Sequence, residues 1–200
     1  MLENYLKKTA DLIRNSNKLN CEFFYRSIEE FVLLNGRKFK SQPLSKEEEE
    51  LVTELIEKEY IDCKVRECYR NSQKLSLSND KILYVEGFAK GKGLIPVGHS
   101  WNLINGKVID LTWCNGNLLD KSERTRDARK KRIILGEFEG EYFGVIIPTR
   151  IIRKKIIKKG VWDSIIDNWE NGFPLLKKKW RGENNGMQNS QRSNEKSSCR

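Results

Sequence analysis

The stretch Val97-Gly98-His99-Ser100-Trp101-Asn102-Leu103-Ile104-Asn105-Gly106-Lys107-Val108-Ile109-Asp110-Leu111-Thr112 decides how this chain reads. Asn-Gly between two apolar-rich runs is the strongest short hairpin signal, because both turn positions need positive φ. The flanks predict antiparallel strands over 97–104 and 107–112. With Asn105 and Gly106 as the loop, Asn102 faces Ile109 and Trp101 faces Asp110. Side chains alternate along a strand, so His99 and Trp101 share a face. Asp110 then lies on that face too, one diagonal step from His99 and within reach of an aromatic ring. A slip of one residue would turn Asp110 to the other face.

His99 is the only histidine among 200 residues. Zinc sites of the Cys2His2 type and helical His-Glu-x-x-His sites are therefore excluded, and any imidazole chemistry runs through this hairpin. The five cysteines, Cys21, Cys63, Cys68, Cys114 and Cys199, are odd in number and contain no Cys-x-x-Cys pair. Neither a disulfide framework nor a zinc ribbon is indicated, and reduced thiols fit the cytoplasm. The first residues have no apolar run of signal-peptide length, and no stretch approaches a membrane span. The expectation is a cytoplasmic protein with no membrane partner, no metal and no cofactor.

Upstream of the hairpin the chain reads as helical. Leu2, Leu6, Leu12 and Ile13 recur on one face of a first helix. Asn20 is a candidate cap for a second, carrying Phe24, Ile28, Phe31 and Val32, with Gly36 as its left-handed end. Ser45 and Glu48 form a capping box, and Leu51, Leu55 and Ile56 continue that helix. A fourth runs from about Cys63 through Cys68, Tyr69, Ser72 and Leu75. A strand over 82–89 precedes the hairpin. A charged, mobile stretch over 120–132 follows it, then a β segment over 142–148. A helix over 150–170 has Gly160 as its break. From Arg181 almost nothing can be buried, which predicts a disordered tail. Helices followed by a short antiparallel sheet make the fold class α+β. The expected organisation is an N-terminal helical segment over 1–40, a core over 41–176 with a basic C-terminal part, and a disordered basic tail over 177–200.

The net charge of +10 is unevenly placed: residues 1–120 hold 18 basic and 18 acidic side chains. The excess lies beyond, in runs such as Arg129–Arg132, Arg153–Lys155 and Lys177–Lys179 with Trp180 beside the last. These runs have the composition of a nucleic-acid or polyanion footprint, or equally of a solvated Lys-rich surface. The run from Gly87 to Gly93 lacks the spacing and the Ser or Thr of a phosphate loop.

A base with an orienting carboxylate calls for a nucleophile, and Cys68 is the candidate. It falls near the start of its helix, and helix N-termini and a neighbouring imidazolium both favour a thiolate. Cys68 on an apolar helix face also reads as a buried core residue. Trp101 and Trp113 read as substrate wall or as core. Asn71 is a candidate oxyanion donor or a helix-surface residue. Glu86 is a candidate for facing the site, or a solvated or cross-strand-paired acid. Cys63 is a candidate resolving thiol or an inert half-buried residue.

At Tyr84-Val-Glu-Gly-Phe88, His99-Ser-Trp101 and Val108-Ile-Asp-Leu-Thr112 the chain resembles the core of transglutaminase-like proteins of the papain-like cysteine superfamily. The likeness covers roughly residues 60–115. It implies Cys68 as nucleophile, His99 as base and Asp110 as orienting acid, with Trp101 and Gly87 at the family's aromatic and glycine positions. Ser100 stands where the family has Ala, and Leu111 where it has Pro. The Arg-Glu-Cys-Tyr context of Cys68 lacks the family's Gly-rich entry. The implied activity is acyl transfer or hydrolysis of an amide or ester in a protein or small molecule. The alternative is an inactive scaffold of the same fold that binds nucleic acid or an acidic partner through residues 121–200.

Overall fold

Asn105 and Gly106 both adopt positive φ, 50° and 82°, so the turn is the primed type whose twist matches its strands. Around this hairpin the computed structural model describes residues 1–16, 22–64, 66–91, 94–113 and 140–182. Asn20, Cys21, Cys114 and Cys199, the stretch 120–132 with Arg129–Arg132, and the tail from 183 lie outside the described residues.

The elements run in the order α1 (Leu2–Ser16), α2 (Ile28–Asn35), β1 (Arg37–Phe39), α3 (Lys46–Lys58), α4 (Cys68–Ser78), β2 (Leu83–Gly91), β3 (Val97–Ile104), β4 (Lys107–Ile109), β5 (Gly140–Ile147) and α5 (Thr149–Lys159), ending in a 3-10 turn at Trp169–Asn171. The five strands form one antiparallel, curled sheet in the order β1-β5-β2-β3-β4, and the fold is α+β. Asn102 pairs with Ile109, as the two-residue turn requires.

Several local expectations hold. Ser45 Oγ accepts the Glu48 N–H while the Glu48 carboxylate accepts the Ser45 N–H at 2.7 Å, closing the capping box of α3. Gly160 ends α5 at φ 69°. Others are corrected. In α1 the buried stripe is Leu2, Leu6 and Ala10, and Leu12, well round the helix from it, is exposed. The cap of α2 is Ser27, which accepts the Glu30 N–H. Gly36 is extended rather than left-handed. It is needed because a Cβ there would lie 2.5 Å from the Val32 carbonyl oxygen and 2.6 Å from that of Gly144. Helix α4 begins at Cys68 itself, five residues later than its apolar periodicity suggests. The predicted strand over 107–112 stops at Ile109, because Asp110 turns the chain with its own carboxylate. The helix predicted to 170 ends at Lys159. β1, short and charged, carried no strand signal.

The sheet is buried on both faces. On one, Tyr84, Phe88, Phe143, Val145 and Ile147 pack with Leu2, Leu6, Phe31 and Val32 of α1 and α2 and with Ile152 of α5. On the other, inside the curl, Phe39, Val85, Ala89, Trp101, Leu103, Val108 and Tyr142 bury one another. Gly87 and Gly144 stand opposite each other on β2 and β5. Bare backbone there admits the Trp101 ring: a Cβ on Gly144 would lie 2.7 Å from Trp101 Cη2. A third cluster joins α3 to α4 and the hairpin through Val52, Ile56, Cys63, Leu75, Ile104 and Ile109.

Among the described residues no helix is long and apolar enough to cross a membrane, and no group of three His, Cys, Asp or Glu side chains could hold a metal ion.

Candidate active site

The hairpin register puts His99 and Asp110 on the inner face of the curl, and their side chains meet there. His99 Nε2 lies 2.8 Å from Asp110 Oδ2, with both side chains buried. Asp110 is saturated with donors. Oδ2 also accepts the Tyr142 hydroxyl at 3.0 Å, and Oδ1 accepts the backbone N–H groups of Thr112 at 3.0 Å and Trp113 at 2.9 Å. These two N–H bonds form a local Asx-type turn, so the residue that ends β4 also orients its own carboxylate. Two indoles neighbour the imidazole. Trp101 is near-parallel to it at 6.3 Å, and Trp113 is tilted at 5.0 Å.

Burial by itself pulls the His99 pKa down. The charge and hydrogen bond of Asp110, with the Cys68 sulfur, outweigh it and hold His99 up at about 10. Asp110 shows the complement. Burial pushes its carboxyl up, but the His99 charge and hydrogen bond and the two N–H donors keep it below its ordinary value. The pair is thus an imidazolium facing a carboxylate across the neutral range.

Cys68 is the first residue of α4, and its thiol is buried and free. Its sulfur is among the groups that raise the His99 pKa, after Asp110. Nε2 is taken by Asp110, and Nδ1 is the ring nitrogen that remains. Helix α4 lies on the outer face of the sheet, where Ser72 Oγ meets Ser100 Oγ at 2.8 Å and Asn102 Nδ2 donates to the Ser72 carbonyl at 2.8 Å. Ser100 thus bonds the helix that carries Cys68. The register of β4 on β3 begins at Asn102, so β4 does not pair with β3 beside His99. The first turn of α4 directs N–H groups with no helical partner toward the Cys68 end.

The three remaining candidates have other partners. Trp101 is fully buried and packs against Phe39, Tyr142 and Gly144, a wall of the core behind the imidazole rather than a surface for substrate. Asn71 gives its amide hydrogens to the Lys64 carbonyl and to Thr112 Oγ1, which removes it as an oxyanion donor. Glu86 pairs with Ser100 on β3 and so faces away from His99. It is neither solvated nor ion-paired across strands. It accepts from Tyr84 Oη at 2.7 Å, from Ser164 Oγ, and from the N–H groups of Ile165 and Ile166 at 2.9 Å. Cys63 is buried in the α3–α4 cluster. Trp180 packs edge-on against Phe31 in the core, Lys177 pairs with Glu22, and Lys155 turns inward to Asp163 and the Ser164 carbonyl.

The sequence reading missed Tyr142, Thr112 and Trp113 as partners of Asp110. Tyr142 carried no signal, since the pairing of β5 is not local. The two N–H groups were available in the Asx-turn tendency of Asp110. Comparison of the chain with protein-family models, with curated proteins and with solved structures finds no match.

Proposed function

We propose that the protein is a transglutaminase-like cysteine enzyme, with a papain-like arrangement of helix and sheet, that transfers or hydrolyses an acyl group from an amide or ester. One observation carries the reading: a buried His99–Asp110 pair, with Cys68, which also raises the His99 pKa, as the first residue of a helix. In this scheme the Cys68 proton resides on His99. The Cys68 sulfur attacks the acyl carbon, and first-turn N–H groups of α4 receive the developing oxyanion. His99 gives its proton to the departing amine or alcohol, leaving a thioester. His99 then takes a proton from water or an amine, which attacks the thioester and frees Cys68. Asp110 holds the ring orientation throughout.

The test is reaction with a thiol-directed electrophile, mapped by mass spectrometry at several pH values. Cys68 should alkylate faster than Cys199 near neutral pH, and His99→Ala should remove the advantage. Equal rates at Cys68 and Cys199 overturn the reading. With a substrate in hand, Cys68→Ala and His99→Ala should abolish turnover while the fold survives, and Asp110→Asn should leave a slow enzyme.

A second reading, a binding scaffold without chemistry, is favoured by α5, which contains no acidic residue and exposes Arg153, Lys154 and Lys158. It predicts salt-sensitive binding of nucleic acid or an acidic partner that is lost when these three become Glu. Substitution is the right tool here. Truncation after residue 120 would remove β5 from between β1 and β2.

A further inference from the structure

The side-chain amide of Asn71 joins the helix that carries Cys68 to the turn that carries Asp110. Asn71 lies one turn beyond Cys68 and is 3% exposed. Its Nδ2 donates to Thr112 Oγ1 at 2.8 Å and to the Lys64 carbonyl at 2.9 Å. The Thr112 N–H donates in turn to Asp110 Oδ1 at 3.0 Å, and Asp110 Oδ2 lies 2.8 Å from His99 Nε2. The bonds therefore run without a gap from α4 through Thr112 and Asp110 to the imidazole.

The second amide hydrogen acts on the approach to Cys68. Cys63 and Arg66 flank the Lys64 segment in left-handed conformations, φ 50° and 69°. Non-glycine residues hold such angles only where their surroundings over-determine them. Helix α4 has no side-chain cap: the Glu67 carboxylate pairs with Arg70 and accepts no first-turn N–H. Asn71 ties the segment before the helix by donating to the Lys64 carbonyl from inside it. The Ser72–Ser100 and Asn102–Ser72 bonds seat α4 on β3 but do not touch the Asp110 turn. Two donors on one planar group are what this position uses. Asp would face the Lys64 carbonyl with an acceptor, and Ala would offer nothing.

We infer that Asn71, acting through Thr112, is a positioning residue that keeps the Asp110 turn and the start of α4 in one register, so that Cys68, His99 and Asp110 stay aligned. The inference rests on the proposed function for its catalytic meaning. Its geometric content is readable without any substrate.

The experiment compares Asn71→Ala, Thr112→Val and Thr112→Ser in the full chain. Thr112→Val keeps the backbone N–H to Asp110 and removes only the hydroxyl; Thr112→Ser restores it. Three readouts are taken: melting temperature, the NMR titration of the single histidine, and the alkylation rate of Cys68. Asn71→Ala and Thr112→Val should slow Cys68 alkylation by about tenfold, as a small misplacement of reacting groups does. Both should move the His99 midpoint down toward the ordinary imidazole range, and Thr112→Ser should keep both properties. A fall in melting temperature with the His99 midpoint and the Cys68 rate unchanged would overturn the inference, leaving Asn71 a structural tie only. Should Asn71→Ala fail to fold, the Thr112 pair decides. Should Cys68 be inert in the unaltered protein, the functional reading falls, and the His99 midpoint still decides the positioning role.

Discussion

Glu48 Oε2 and Lys107 Nζ lie 2.8 Å apart, so the carboxylate that closes the capping box of α3 also grips the hairpin. Its Oε1 accepts from the Asn105 side chain at 2.8 Å. One buried acid thereby ties α3 to the turn that sets the His99–Asp110 register.

Glu48→Ala should destabilise the protein by about 1–2 kcal/mol, the range for losing a helix cap and a partly buried ion pair. Burial pushes the Glu48 pKa up, but Lys107, Asn105 and the Ser45 N–H outweigh it and hold it at about 2. Its folded value lies below its ordinary 4.5, so this contribution is present above that pH and is lost as pH falls toward about 2. Melting curves between pH 6 and 2 should fall less steeply for Glu48→Gln than for the unaltered chain.

The single histidine makes the site pair directly observable. The His99 ring protons should titrate near pH 10 instead of 6.5, and Asp110→Asn should bring the midpoint down. The folded value is raised, so His99's own contribution is complete below about 6.5 and is lost as pH rises to about 10. Thermal stability should decline across that alkaline window, and His99→Asn should flatten the decline.

Gly87→Ala should destabilise by about 1–3 kcal/mol, the range for forcing an extra methyl into a packed interior. A Cβ at Gly87 would overlap the Phe143 carbonyl oxygen and lie 2.5 Å from Gly144 Cα. Chemical denaturation measures the loss. An unchanged midpoint would mean that β2 and β5 do not approach this closely.

Glu86→Ala would leave the Ile165 and Ile166 N–H groups and the Tyr84 hydroxyl without their acceptor, at about 1–3 kcal/mol for each buried group left unpaired. Limited proteolysis should then cut within 160–168. Glu86→Gln should also weaken the anchor, because its amide would present a donor to donors. Burial holds the Glu86 carboxyl above its ordinary value despite the bonds from Ser164, Tyr84, Ile165 and Ile166. Its own contribution therefore grows as pH falls.

What was legible beforehand was local. The Asn105-Gly106 turn, the Asn102–Ile109 register and the shared face of His99 and Asp110 follow from backbone rules spanning a few residues. The Ser45–Glu48 box and the Gly160 helix end are of the same kind. The errors were also informative. The periodicity of α4 extends upstream to Cys63, yet left-handed Cys63 and Arg66 lie in that stretch and the helix starts at Cys68. Asn71 reads as a helix-surface residue until Thr112 is brought against it from 41 positions away.

By itself, then, the sequence determined the hairpin, the facing of its one imidazole and one carboxylate, and several helix ends. Each depends on φ preferences and side-chain periodicity within a single element. Only the tertiary structure decided that β5 enters between β1 and β2, that Tyr142 reaches Asp110, and that Glu86 turns away to hold residues 164–166. These contacts join residues dozens of positions apart. Which of many possible pairings wins depends on loop closure and on how buried surfaces fit together, and no local pattern records either.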